Sequence, residues 1–247
     1  MYDMPGISGI NDRLWQAIRA HLERGPSALS RSIDAWEAWR APDLIFAQTC
    51  GFPYRAALHD HVQIIGTPDY GLQDCAPGYY RSAFVARAGS GPTSLAECAG
   101  KTMAFNEPMS QSGWAAPMHM LNTQSVVPSD MLQTGAHVAS LRAVADGHAD
   151  FAAVDVHTLD LLRATGTCPE GLTTIAQTDE TPGLPYICAR AEDATALRYA
   201  TEAAIADLGP TPLGLHALVQ IPAETYLAVP TPPSPAQTGL PFRQLSR

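Results

Sequence analysis

The sequence predicts an α/β fold. Short apolar strands alternate with amphipathic helices along most of its length. Apolar residues make up 46% and charged residues only 16% of 247, ample material for a buried core. That length accommodates one large domain or two lobes of about 100 residues each. A helix is expected over Ile10–Arg24, with Asn11 as N-cap and Leu14, Ile18 and Leu22 on one face. A second is expected over Ser32–Arg40, followed by a strand over Asp43–Ala47 and a helix over Cys50–His59. Val62–Gly66 reads as a strand, and Tyr80–Arg87 contains another that ends at the turn Gly89-Ser90-Gly91.

The middle of the chain repeats the alternation. Leu95–Cys98 reads as a short helix, Thr102–Phe105 as a strand, and Asn106–Ser110 as a polar turn into a helix over Ser112–Leu121. Val138–Asp146 is a predicted helix, Asp150–Val154 a buried strand, and Val156–Arg163 a helix. Strands over Leu172–Ala176 and Tyr186–Arg190 precede a long helix over Glu192–Leu208. Pro230, Pro232, Pro233, Pro235 and Pro241 predict an irregular tail over 230–247, draped on the surface or trailing free.

Composition excludes several classes. The formal charge is −9, Lys101 is the only lysine and the arginines are scattered, which argues against nucleic acid and against a polybasic membrane patch. No apolar run approaches the roughly 20 residues that span a bilayer. The first residues lack a signal-peptide pattern, so the reading is either a cytoplasmic protein or a processed or wrongly started chain. The five cysteines have no C-x-x-C spacing; they read as buried thiols, with a Cys50–Cys75 disulfide as the alternative. Met118-His119-Met120 on a helix does not converge on a metal, because neighbours point about 100° apart. Nucleotide P-loop, nucleophile-elbow and zincin motifs are absent. Neither cofactor nor metal is expected, and no catalytic residue.

Four stretches could carry binding. Ser110, Gln111, Ser112 and Gly113 stand where a strand ends and a helix begins. Outward N–H groups, hydroxyls and a glycine suit a phosphate or phosphonate there, although Ser110 or Ser112 also reads as an ordinary N-cap. His137 falls in the first turn of a helix, as a donor to an anion or as an exposed capping residue. The strand before Asp155 and His157 delivers both at its carboxyl end, where α/β sheets bind ligands, or Asp155 only caps the next helix. Tyr79 and Tyr80, with Thr49 at another strand end, offer hydroxyls to phosphonyl oxygens or pack at the core edge.

Together these stretches resemble the phosphate/phosphite/phosphonate-binding proteins of ABC transporters. The matching residues are Asp43-Leu44-Ile45, Gln48-Thr49-Cys50-Gly51, Tyr79-Tyr80-Arg81-Ser82, Asn106 to Gly113, Thr134-Gly135-Ala136-His137 with Ser140, and Ala143-Val144. They continue through Gly147, Ala149-Asp150, Ala153-Val154-Asp155 and Pro182-Gly183-Leu184-Pro185. The resemblance covers roughly residues 1 to 220 and is most specific along 135–150.

It implies a type II periplasmic binding protein fold: two α/β lobes, 1–84 with 190–247 and 85–189, joined by two crossover segments. It implies a solute-binding function without catalysis, in which an interlobe cleft captures phosphonate, phosphite or phosphate and a permease receives it. Ser110, Gln111 and Ser112 take the phosphonyl oxygens, the family histidine matches His137, and the family tyrosine matches Tyr80 in preference to Tyr79. Asp155, or His157 in its place, matches the acidic group set against a ligand amine. The resemblance also implies a periplasmic location and a first strand before Met1-Tyr2-Asp3-Met4-Pro5, with Met1 and Tyr2 near the cleft mouth. The alternative is an intracellular enzyme or sensor on the same scaffold, acting on a phosphorylated or heterocyclic molecule.

Overall fold

The computed structural model describes residues 2–245; Met1, placed by expectation near a cleft mouth, lies outside them. The chain forms two compact units. One holds the residues up to Tyr79 and Pro182–Ala228; the other holds Tyr80–Thr181 and the described residues from Val229 on. Crossovers fall at 79–80 and 181–182, and the tail passes across once more at 228–229. The tail, expected with the first lobe, therefore belongs to the second unit.

The first unit is built on a four-stranded sheet in the order Ala47–Gln48, Tyr186–Cys188, Gln63–Asp69, Ala217–Val219, with antiparallel neighbours throughout. Helices Ser8–Leu22 and Ala191–Leu208 pack together and bury Leu14, Trp15, Ile18, Leu197 and Ala204. Asn11 lies inside the first helix rather than capping it: its side chain is buried and donates to the Tyr2 carbonyl at 3.0 Å and to Asp3 at 3.1 Å. Asp34 caps the short helix Ala35–Arg40, which begins later than its apolar spacing suggests because the aspartate takes the Trp36 and Glu37 N–H groups. A second cluster gathers Tyr54, Leu58, Val62, Ile187, Ile221 and Tyr226. Within it Tyr226 Oη lies 2.6 Å from Thr67 Oγ1 and donates to the Gly183 carbonyl at 3.0 Å.

A six-stranded sheet organises the second unit, in the order Phe242–Gln244, Asp130–Gln133, Thr102–Phe105, Phe151–Asp155, Ser82–Arg87, Leu172–Gln177. The first four are parallel and the last two antiparallel to their neighbours. Ala83, Ala86, Ala104, Ala152 and Ala153 are fully enclosed, as expected of strands covered on both faces. Two strands had no sequence signal. Asp130–Gln133 offers only two apolar residues, and Phe242–Gln244 sits among prolines with all three residues exposed. All five cysteines are free thiols, Cys50 and Cys75 included. Among the described residues no helix is long and apolar enough to cross a membrane.

Tyr226→Phe removes the one hydroxyl that joins Thr67 to Gly183. It is expected to lower unfolding free energy by about 1–3 kcal/mol, the cost of stranding buried polar groups. A urea melt reads this; an unchanged midpoint would show that the Thr67–Tyr226–Gly183 link does not hold the first unit.

Candidate functional site

Three parallel strands of the second unit end at the same sheet edge, at Phe105, Gln133 and Asp155. The loops that follow the first two are tied together. Thr134 N–H donates to the Phe105 carbonyl at 2.9 Å, and Gly135 N–H to the Asn106 carbonyl at 2.9 Å. Carboxyl ends of such strands are where open α/β sheets bind ligands.

After Asn106 the chain turns into a helix whose cap is Ser110, with Oγ accepting from the Gly113 N–H at 2.9 Å. The helix therefore begins at Gln111, one residue before the sequence expectation, and Ser112 is not its cap. Gln111–Ala115 is wound wide, with Ala115 N–H reaching back five residues to the Ser110 carbonyl at 2.9 Å. Such π-turns are frequent at functional sites. Ser110, Gln111, Ser112 and Gly113 are all buried. Gly113 is required by a close approach within the protein: an added Cβ would fall 1.8 Å from Asn106 Oδ1. That is a packing reason for the glycine, where its expected role was room for a ligand oxygen. Asn106 and Thr134 stood in the matching stretches but not among the candidate ligand-binding residues, and both build the site; Asn106 stands directly after the apolar strand Thr102–Phe105, whereas the strand before Thr134 gave no such signal.

His137 opens the helix His137–Ala145, on a loop locked by Thr134 Oγ1, which lies 2.7 Å from Ser140 Oγ and donates to the Phe105 carbonyl at 3.1 Å. The imidazole Nε2 lies 3.1 Å from Ser112 Oγ. Its Nδ1 is buried and has no hydrogen-bond partner among the described residues. Burial lowers the His137 pKa to about 4, so the ring is neutral at pH 7. Ser112 and His137, distant in sequence, are thus brought together as uncharged groups in a shielded place.

Asp155 is buried and caps the helix Val156–Ala164, with Oδ1 accepting from the Thr158 N–H at 2.8 Å. His157 is buried in the first turn of that helix. The strand Phe151–Asp155 packs against Gln111–Ala115. Tyr80 is buried, and the next residue, Arg81, accepts the Val156 N–H on its carbonyl at 3.2 Å. In the first unit Thr49 is buried, with its N–H on the Pro185 carbonyl at 3.1 Å. Tyr79 packs against the Tyr54–Tyr226 cluster as a core-edge side chain.

Comparison with known proteins follows the same lines. The family described as "ABC transporter, phosphonate, periplasmic substrate-binding protein" matches residues 34–229, and the chain belongs to it. This is a family of transporter binding proteins, not of enzymes. No curated protein matches the sequence. Among solved structures, PhnD1 from Prochlorococcus marinus in complex with methylphosphonate is 16% identical, with a TM-score of 0.66 over 86% of this chain and 87% of that one. A binding-protein component of an ABC phosphonate transporter from Pseudomonas aeruginosa is 17% identical, with a TM-score of 0.66 over 86% and 77%. A Xanthomonas citri protein bound to ATP is 14% identical, with a TM-score of 0.64 over 86% and 87%. These likenesses show the type II periplasmic binding protein fold.

The neutral His137 makes stability depend on pH. In the unfolded chain an imidazole titrates near its ordinary value of about 6.5. Between that value and about 4 the unfolded chain binds a proton that the folded chain does not. Stability therefore rises with pH across this window and is lost on acidification, by about 3 kcal/mol from this group. Denaturant melts of wild type and His137→Gln from pH 4 to pH 7 test it. The variant should show a shallower rise; parallel curves would exclude a lowered pKa for the half-buried His137.

Proposed function

We propose that the solute is a phosphorus oxyanion, phosphonate, phosphite or phosphate, held by Ser110, Gln111, Ser112 and Gly113 together with His137. One observation carries the reading: the Ser112 hydroxyl and the His137 ring stand 3.1 Å apart at a helix start. Because Ser110 does the capping, Ser112 is left available to a ligand. The first-turn N–H groups and the helix dipole favour negative charge at that place. Hydroxyl, amide and neutral imidazole groups donate hydrogen bonds without bringing a counter-charge. The net charge of −9 does not oppose this, since distant charges are screened over about 8 Å.

Tyr80 is proposed to add its hydroxyl, and Asp155 and His157 to meet the substituent on phosphorus. The methylphosphonate bound by the Prochlorococcus protein supports a phosphonate as the first compound to try. By the same reading the protein works in the periplasm and hands its ligand to the permease of an ABC transporter. An enzyme or intracellular sensor on this scaffold is not favoured, given the family.

Calorimetric titration with methylphosphonate, phosphite and phosphate tests the assignment. At about 100 times its dissociation constant a true ligand adds roughly 2.7 kcal/mol to stability. Ser112→Ala is expected to weaken binding by about 1.5–3 kcal/mol, the range for a hydrogen bond to a charged group, which is roughly ten- to more than a hundredfold in affinity. Ser110→Ala should lower folding stability by about 1 kcal/mol, as loss of a cap does, in addition to weakening binding. Undiminished affinity in Ser112→Ala would remove the anion from this helix start.

A further inference from the structure

Residues from Pro230 onward lie beyond the stretch that the family pattern covers, yet they are bonded to both walls of the candidate site. Trp114 directly follows the Ser110–Gly113 turn and is fully buried. Its indole Nε1 donates to the Pro233 carbonyl at 3.1 Å. The ring lies tilted against Phe105, the last residue of the strand that feeds the turn, with centroids 4.8 Å apart, and Phe105 in turn lies 6.0 Å from Phe242.

The other wall is held by the tail strand. Phe242–Gln244 pairs with Met131–Gln133. The Met131 N–H donates to the Pro241 carbonyl at 3.0 Å, and the Leu245 N–H to the Gln133 carbonyl at 2.8 Å. Arg243 anchors the strand on Asp130 at 2.9 Å and on the His148 carbonyl at 2.9 Å. Gln133 leads directly into the Thr134–His137 loop.

We infer that residues 230–245 form a strap that holds the Ser112 wall and the His137 wall together, with Trp114 as the positioning residue through which it acts. Binding groups on separate loops keep their geometry within about 0.5 Å only when neighbouring contacts lock them. Each wall has such a contact to the tail, through Pro233 on one side and through Pro241 and Leu245 on the other. A tail that merely covered a sheet edge would need only its strand. The Trp114–Pro233 bond lies outside that strand and reaches the helix that carries Ser112.

The affinity arm of the test rests on the oxyanion reading; the second arm does not. Two variants of the full chain separate the possibilities. Trp114→Phe keeps a ring and removes the N–H, while Arg243→Ala loosens the exposed strand by removing its anchors on Asp130 and on the His148 carbonyl, outside the Trp114–Phe105–Phe242 ring chain. Titration with methylphosphonate, phosphite and phosphate should show roughly two- to tenfold weaker binding in both, for whichever anion the wild type takes. In ligand-free protein, NMR titration should show the His137 pKa rising in both from about 4 towards its ordinary value, as water reaches the ring. Lower melting temperatures with affinity and His137 titration unchanged would overturn the strap, and so would a rise confined to Trp114→Phe. If the wild type binds none of the three anions, the oxyanion reading fails. The His137 titration then decides alone: a rise in both variants supports the strap and no rise overturns it.

Discussion

Parallel alignment of Thr102–Phe105, Asp130–Gln133 and Phe151–Asp155 is the constraint on which the candidate site depends. Strands that run the same way deliver their following loops to one edge. Residues far apart in the chain, Ser112 and His137, can then stand within hydrogen-bonding distance. The alignment is held by a core of fully enclosed alanines and by Phe84, Phe105 and Phe151. Small side chains let helices approach the sheet closely, and the aromatic ones fill the remaining volume. The loops themselves are tied by backbone bonds from Thr134 and Gly135 to Phe105 and Asn106, so their geometry follows from the sheet.

The chemistry that results is polar without positive charge. Burying an uncompensated cation is costly, and burial lowers the His137 pKa to about 4 so that no cation forms there at neutral pH. What remains is a set of donors already oriented: a helix start, a serine released from capping, and an imidazole. A binding protein benefits from this arrangement because donors fixed before the ligand arrives lose little freedom when it binds. Asp155 follows the same economy of parts, since one carboxylate oxygen stabilises the helix Val156–Ala164.

Family membership and the geometry bear on different questions. The match over 34–229 says that this is a transporter binding protein. The solved structures, at 14–17% identity, speak for the fold. Which side chains meet a ligand follows from neither, and rests on the cap, the π-turn and the His137 loop. The tail beyond residue 229 adds a sixth strand to the sheet, beside Asp130–Gln133.

Much of the second unit was legible in the sequence because its signals are local. Thr102–Phe105 is a strand over the expected residues, and the helices after Asp155 and before Asp146 begin within a residue of expectation. Apolar runs, cap residues and strand-ending turns act over a few positions and can be read one at a time. The polar stretch Ser110–Gly113 and His137 were identifiable in the same way, as residues at helix starts. Tertiary structure alone decided the rest. Asn11 reads as a cap, yet it is buried because Tyr2 and Asp3 fold back onto it. Ser110 rather than Ser112 became the cap because the π-turn shifts the helix start. Gly113 exists to admit Asn106. Phe242–Gln244 became a strand despite flanking proline and exposed side chains, because Asp130–Gln133 presented an edge to pair with. Each of these depends on a partner remote in sequence, and hydrogen bonds between remote segments leave no periodicity in either one.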